Sequence, residues 1–241
     1  MHTALLIASV VLAYLVKGLC GFGNTLVFST MLGFAMDNAA ISPLDLLVGA
    51  PSNLMQAWRY RRSIRWRACL PLAGLVLAGS LPGALLLRVG DARLIKVIFG
   101  LVVTGIAAEM FLRDRRGGAA KANPVVMAGL GLLSGVLCGL FGVGALLAAY
   151  VSRTTNDPDT FKANLGVVFS VESLFRLGMY IYLGLFTAET LRLSALLLPP
   201  MALSLLGGMA LSSRLNARAA RLAVVAVLML SGLSLVIRNL L

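Results

Sequence analysis

Three ionisable side chains, Lys17, Glu172 and Arg176, stand deep inside apolar stretches of this chain. Charge at such depth is costly, so it marks either a function or a fixed internal partner. A guanidinium offers a planar fork that fits two oxygens of a carboxylate or sulfonate, and an ammonium adds a point charge; the chemistry on offer is capture of an anion. Glu172 and Arg176 are four apart and share a helical face, where they can instead neutralise each other, and Lys17 can extend its stem to an interface. Glu172 has a further use as a site of proton uptake.

Backbone groups can serve the same anion. The apolar run 5–35 is interrupted by Lys17-Gly18-Leu19-Cys20-Gly21-Phe22-Gly23-Asn24-Thr25, and the run 124–151 by Gly135-Val136-Leu137-Cys138-Gly139-Leu140-Phe141-Gly142-Val143-Gly144. With one residue inserted, the two match at Gly, Cys, Gly, Phe and Gly, which is an internal duplication. Repeated interruptions at corresponding places in two halves of a membrane chain point to a binding site at mid-membrane. Glycines beside polar residues in mid-span leave N–H groups unpaired, and hydrocarbon tolerates this only where protein or a water-filled cavity satisfies them. The helices restarting near Gly23-Asn24-Thr25 and Gly142-Val143-Gly144 aim positive dipole ends at whatever lies between them. The expected substrate-binding set is Lys17, Gly21, Phe22, Gly23, Asn24, Thr25, Asn53, Gln56, Gly139, Phe141, Gly142, Val143, Gly144 and Arg176, with Glu172 as the proton-coupling group.

The elements that carry these residues are membrane helices. With 241 residues, 59% hydrophobic and a mean hydropathy of +0.94, the chain has too little polar surface for a soluble domain. Apolar runs of about 18 residues or more cross roughly 30 Å of hydrocarbon as helices, and the alternation of a membrane barrel is absent. The expected fold is an all-α integral membrane protein with eight apolar segments in two inverted four-segment repeats, the first segment of each repeat broken and re-entrant at its glycine motif. The segments are 5–35, 44–58, 68–87, 94–112, 124–151, 161–185, 191–211 and 219–240. They group into repeats 1–112 and 124–241, joined by a polar cytoplasmic linker, 113–123. Asn53, Gln56 and Tyr60 in the second segment line up with Ser173, Arg176 and Tyr180 in the sixth. The start of the chain lacks a basic region and a small-x-small cleavage site, so it is expected to be retained.

Charge sets the orientation. The net charge of +12 lies in short loops, as expected of cytoplasmic anchors rather than of a nucleic-acid surface. If all segments simply cross, the loop charges divide almost evenly between the two sides. With segments one and five re-entrant and the N-terminus outside, only Arg88, Arg93, Lys96, Arg192 and Arg238 stay outside. Each half then crosses an odd number of times, so the halves are oppositely oriented. The basic stretch 59–67, with Trp58, Tyr60 and Trp66 interleaved, is the interfacial belt of a helix end.

Other residues have simpler uses. Gly79, Gly83, Gly207 and Gly208 let helices approach closely. Asp37, Asp45, Asp157 and Asp159 border loops and are expected to cap helices. Cys20, Cys69 and Cys138 have neither metal-ligand spacing nor a disulfide pattern; Cys20 and Cys138 hold equivalent places in the two breaks.

At its glycine motifs, its length and its two-half, eight-segment plan, the chain resembles the sulfite exporter TauE/SafE family of bacterial membrane permeases. The resemblance covers nearly the whole chain and implies movement of sulfite, organosulfonates or related small organic anions across the plasma membrane. Family motifs commonly run into consecutive glycines followed by proline. Gly23-Asn24-Thr25 and Gly142-Val143-Gly144 stand in place of the glycine runs here, and neither Ser29-Thr30 nor Ala148-Ala149 supplies the proline.

The function expected is therefore secondary transport, in the exporting direction, of a small anion such as sulfite, an organosulfonate or an organic acid, by alternating access in a bacterial inner membrane. Its partners are the anion, the bilayer, a coupling ion (H+ or Na+) and, as an open alternative, a second copy in a homodimer. No nucleotide-binding loop is present, and neither a cofactor nor nucleic acid is expected. An enzyme needs converging acid–base or metal groups, whereas the single histidine is His2. The alternative is a passive anion channel or a non-transporting membrane assembly protein.

Overall fold

The computed structural model describes residues 2–32, 36, 38–89, 124–142, 144–155 and 157–212, with isolated positions in 101–112 and 226–237. The 113–123 linker, Asp37 and Val143 lie outside the described residues, as do the fourth and eighth apolar segments apart from those isolated positions. Every described element is helical: α1 (His2–Cys20), α2 (Asn24–Leu32), α3 (Asn38–Arg59), a 3-10 turn at Arg61–Ser63, α4 (Trp66–Val89), α5 (Pro124–Phe141), α6 (Ala145–Thr154), α7 (Pro158–Tyr182) and α8 (Ala188–Ser212). The first apolar run is thus α1 and α2, and the fifth is α5 and α6, each pair separated at its glycines.

Local chemistry explains the helix limits. Asp157 precedes α7 and accepts hydrogen bonds from the Thr160 N–H (2.8 Å) and hydroxyl (2.7 Å), with Pro158 filling the first helical position. That satisfies an orphan N–H where proline needs none, and the two bonds from Thr160 hold the Asp157 carboxyl below its ordinary range. Prolines fall inside α3, α4 and α8, as membrane helices tolerate when neighbours supply compensating contacts. Next to Pro51, Ser52 bonds back to the Gly49 carbonyl at 2.6 Å.

The helices pair across the two halves of the chain. α1 lies along α8, α4 along α5, and α3 along α7. Gly18 and Gly208 sit face to face at the first crossing, Gly79 and Gly135 at the second, and a Cβ at any of these would run into the opposing backbone. Such close approach is how membrane helices gain packing contact when burial from lipid supplies little drive. Gly83 also abuts the Val136 backbone, whereas a Cβ on Gly207 meets nothing within 4 Å among the described residues. α3 and α7 are antiparallel: Ser42 meets Tyr180, Asn53 meets Ser173, and Gln56 meets Lys162.

Two apolar clusters flank this central pair. One gathers α1, α2, α3 and α8 around Tyr14, Phe28, Leu44 and Leu197; the other gathers α4 to α7 around Val76, Cys138, Leu147 and Leu165. On the outside, α8 exposes Leu191, Leu196, Leu203, Leu206 and Leu211, an apolar face of the kind that water-soluble surfaces avoid. By length and composition α7 and α8 are able to cross a membrane.

Candidate functional site

Each break is made by one glycine device. α1 ends where Gly21 adopts φ 86° and its N–H reaches the Lys17 carbonyl at 2.6 Å; α5 ends where Gly142 adopts φ 70° and its N–H reaches the Cys138 carbonyl at 2.7 Å. Both are left-handed glycine caps. The chain then turns into α2 and α6, whose first turns close from Val27 N–H to Gly23 O (3.2 Å) and from Ala148 N–H to Gly144 O (2.9 Å).

Matching cap to cap sets Gly18, Gly21 and Gly23 opposite Gly139, Gly142 and Gly144. No insertion is needed, which corrects the gapped alignment of the two motifs. Cys20 and Cys138 are then not equivalent: Cys138 holds the cap position that Lys17 holds in the first half. Cys20, Cys69 and Cys138 are buried and form no disulfide.

The breaks open on one cavity. Its walls are Gly23, Asn24, Thr25 and Leu26 from the first break, Gly142 and Gly144 from the second, Asp45, Gly49 and Asn53 from α3, and Phe169, Glu172, Ser173 and Arg176 from α7. The N–H groups that open α2 and α6 have no acceptor within their own helices, and both helix starts carry positive partial charge. A small negative group between them would meet donors from two directions.

Arg176 is the cation at this cavity. Buried at 5% exposure, it donates from Nη1 to the Cys138 carbonyl at 3.2 Å, lies 3.5 Å from Glu172 Oε1 through Nε, and covers the Tyr180 ring at 5.8 Å. Its guanidinium fills the space a Cβ on Gly142 would need, and the Phe169 ring does the same at Gly144. Arg176 Nε and Glu172 Oε1 make no hydrogen bond, so charge attraction alone joins them.

Lys17 is buried but stands off the cavity. Its ammonium donates to Ser52 Oγ (2.7 Å) and to Asn53 Oδ1, beside the Tyr14 ring. Asn53 in turn donates from Nδ2 to Ser173 Oγ at 2.9 Å. A polar chain therefore runs from Lys17 on α1 through Asn53 on α3 to Ser173 on α7, joining the two halves, with Asn53 and Ser173 on the cavity wall and Lys17 behind it.

The remaining expected residues divide clearly. Gln56 donates to the carbonyls of Gly21 and Lys162, each at 2.9 Å, so it braces the first break rather than lining the cavity. Phe22 packs edge-on against Phe161, with ring centres 6.2 Å apart, and Gly21 and Gly139 also lie off the cavity. Phe141 is the last residue of α5, and Val143 lies outside the described residues. Among the described residues no three His, Cys, Asp or Glu side chains converge to hold a metal.

Asp45 was expected to cap a helix and does not. α3 begins at Asn38, so Asp45 lies inside it, 2% exposed, accepting a 2.7 Å hydrogen bond from the Thr25 hydroxyl. A signal for it was present in the sequence. Asp45, Gly49, Ser52, Asn53 and Gln56 recur at helical spacing and form a polar stripe on an otherwise apolar helix.

Among the described residues the architecture is all-helical, with two interrupted helices meeting at a polar cavity. The family model of sulfite exporter TauE/SafE matches residues 6–235, and the chain belongs to that family, one of membrane proteins. No curated protein and no solved structure matches the chain.

Proposed function

We propose that this protein is a secondary transporter that exports a small anion, such as sulfite, an organosulfonate or a related organic acid, across the bacterial inner membrane. One observation carries the proposal: the starts of α2 and α6 and the Arg176 guanidinium border the same cavity. Helix starts and a forked guanidinium are complementary to oxyanions of this size.

The pairing of helices supports alternating access. Exchanging the two halves turns the α1–α8 contact into the α5–α4 contact and returns α3–α7 to itself, which is the pattern of a twofold between repeats. Together with the loop charges, this favours two inverted four-segment repeats with re-entrant α1–α2 and α5–α6 hairpins, and rocking of one repeat against the other about a fixed site.

Two measurements test the proposal. Purified protein is screened calorimetrically against sulfite, thiosulfate, methanesulfonate and short carboxylates, and reconstituted protein is assayed for flux. Binding of at least one oxyanion, with flux that follows an imposed ion gradient, is expected. Flux indifferent to gradients would favour a passive channel, and absence of both binding and flux would favour an assembly protein.

A further inference from the structure

Among the described residues five charged side chains are buried: Lys17, Asp45, Lys162, Glu172 and Arg176. Lys162 is held at the Gly18 carbonyl and the Ser212 hydroxyl, and Lys17 at Ser52 and Asn53, so the cavity itself is lined by Arg176 and two carboxylates. With both carboxylates ionised the lining carries one net negative charge, and an entering monoanion would add a second in a low-dielectric interior, which is strongly unfavourable. The two carboxylates are not equivalent in how they could relieve this. Glu172 has Arg176 beside it at 3.5 Å. Asp45 has no Lys or Arg within ion-pair distance among the described residues; its Oδ2 accepts from Thr25, and its Oδ1 is buried without a partner while the residue lines the cavity.

We infer that Asp45 takes up one proton for each anion bound, so that the substrate and a proton cross together. This deepens the transporter reading and rests on it. In the loaded state the proton stays on Asp45 Oδ1, whose O–H donates a hydrogen bond to an oxygen of the anion, while Oδ2 keeps its bond from Thr25. On release, the anion leaves first, and the proton then passes from Oδ1 to water at the mouth, restoring the ionised carboxylate. An ionised Asp45 repels the anion and a protonated one binds it, so each ligand favours the other by the same factor.

The groups facing Asp45 are consistent with this. α1 presents the Tyr14 hydroxyl and the Lys17 ammonium, which Ser52 and Asn53 hold away from the cavity. α2 contributes no titratable side chain, and α7 presents Glu172, Arg176 and Tyr180. Glu189 and Arg192 of α8 are exposed near its start. Both carboxylates have a buried oxygen without a hydrogen-bond partner, but among the described residues only Glu172 has a cation within ion-pair distance.

The test uses methanesulfonate, which stays ionised across the working pH range and cannot carry the proton itself. Calorimetry of the full-length protein in buffers of different ionisation enthalpy counts protons taken up on binding. About one proton per anion is expected in the wild type at neutral pH, and none in Asp45→Asn. Infrared difference spectra of the wild type should gain a carboxylic-acid C=O band on adding methanesulfonate, a readout that does not depend on any variant folding. Binding without proton uptake or without that band would overturn the inference and leave the transporter standing. Uptake lost in Glu172→Gln but kept in Asp45→Asn would also overturn it. A wild type that binds neither methanesulfonate nor sulfite would sink the transporter reading and this inference with it.

Discussion

The Thr25 hydroxyl and the Asp45 carboxylate, on α2 and α3, are joined by a hydrogen bond of 2.7 Å, which fastens the start of the first restarting helix to the polar stripe of α3. Threonine here offers one O–H, and the bond commits it to Asp45.

Replacing Thr25 by valine keeps the volume and removes the donor. A hydrogen bond to a charged group contributes about 1.5–3 kcal/mol, here to the ionised form of Asp45. Losing it favours the protonated form, so the pH at which anion transport falls to half should move upward by roughly one to two units. Thr25→Ser should keep the wild-type profile, and flux measured against pH in proteoliposomes decides.

Arg176→Gln should abolish detectable anion binding and also destabilise the protein by about 3–5 kcal/mol, because Glu172 is left charged and buried alone. The double variant Arg176→Gln/Glu172→Gln should regain much of the stability and none of the binding. Thermal melts alongside calorimetry separate the two roles. Restored binding in the double variant would show that Arg176 serves only its internal partner.

Glycine substitutions should sort by what faces them. Gly142→Ala puts a methyl at φ 70° into the Arg176 guanidinium; backbone strain alone costs of order 1–3 kcal/mol, and transport should be lost. Gly207→Ala meets nothing among the described residues and should leave flux unchanged. Equal effects in both would argue that the second break is not a binding element.

Single cysteines at Ser63 and Thr187 report orientation. The re-entrant arrangement puts residue 63 in the cytoplasm and residue 187 outside, whereas eight simple crossings put both on one side. An impermeant thiol reagent applied to intact cells and then to inverted vesicles should label the two positions from opposite faces. Labelling from the same face would remove the inverted repeat.

Much of the cavity's outline was legible in the sequence, because glycines in mid-span have few uses and two copies of them have fewer. The register between the copies was not. A gapped match on Cys and Phe competes with the ungapped glycine match, and only the backbone conformation at Gly21 and Gly142 separates them. Asp45 was misread because helix boundaries are poorly marked in a run such as Asn38-Ala39-Ala40-Ile41-Ser42-Pro43: an aspartate two residues after a proline looks like a cap until α3 is known to start upstream. Lys17 presented the opposite problem. Its depth was evident, but its acceptors, Ser52 and Asn53, are 35 and 36 residues away, and no local pattern announces that they hold the ammonium behind the wall.

The central claim is that an anion sits between the two helix breaks. Selenite has the shape and charge of sulfite and carries a strong anomalous scatterer, so its position in protein crystals can be read directly. The account predicts an anomalous peak in the cavity, within hydrogen-bonding distance of Arg176 and of the N–H groups that open α2 and α6. A peak elsewhere in the protein, with this cavity empty at selenite concentrations that saturate binding in solution, would contradict it.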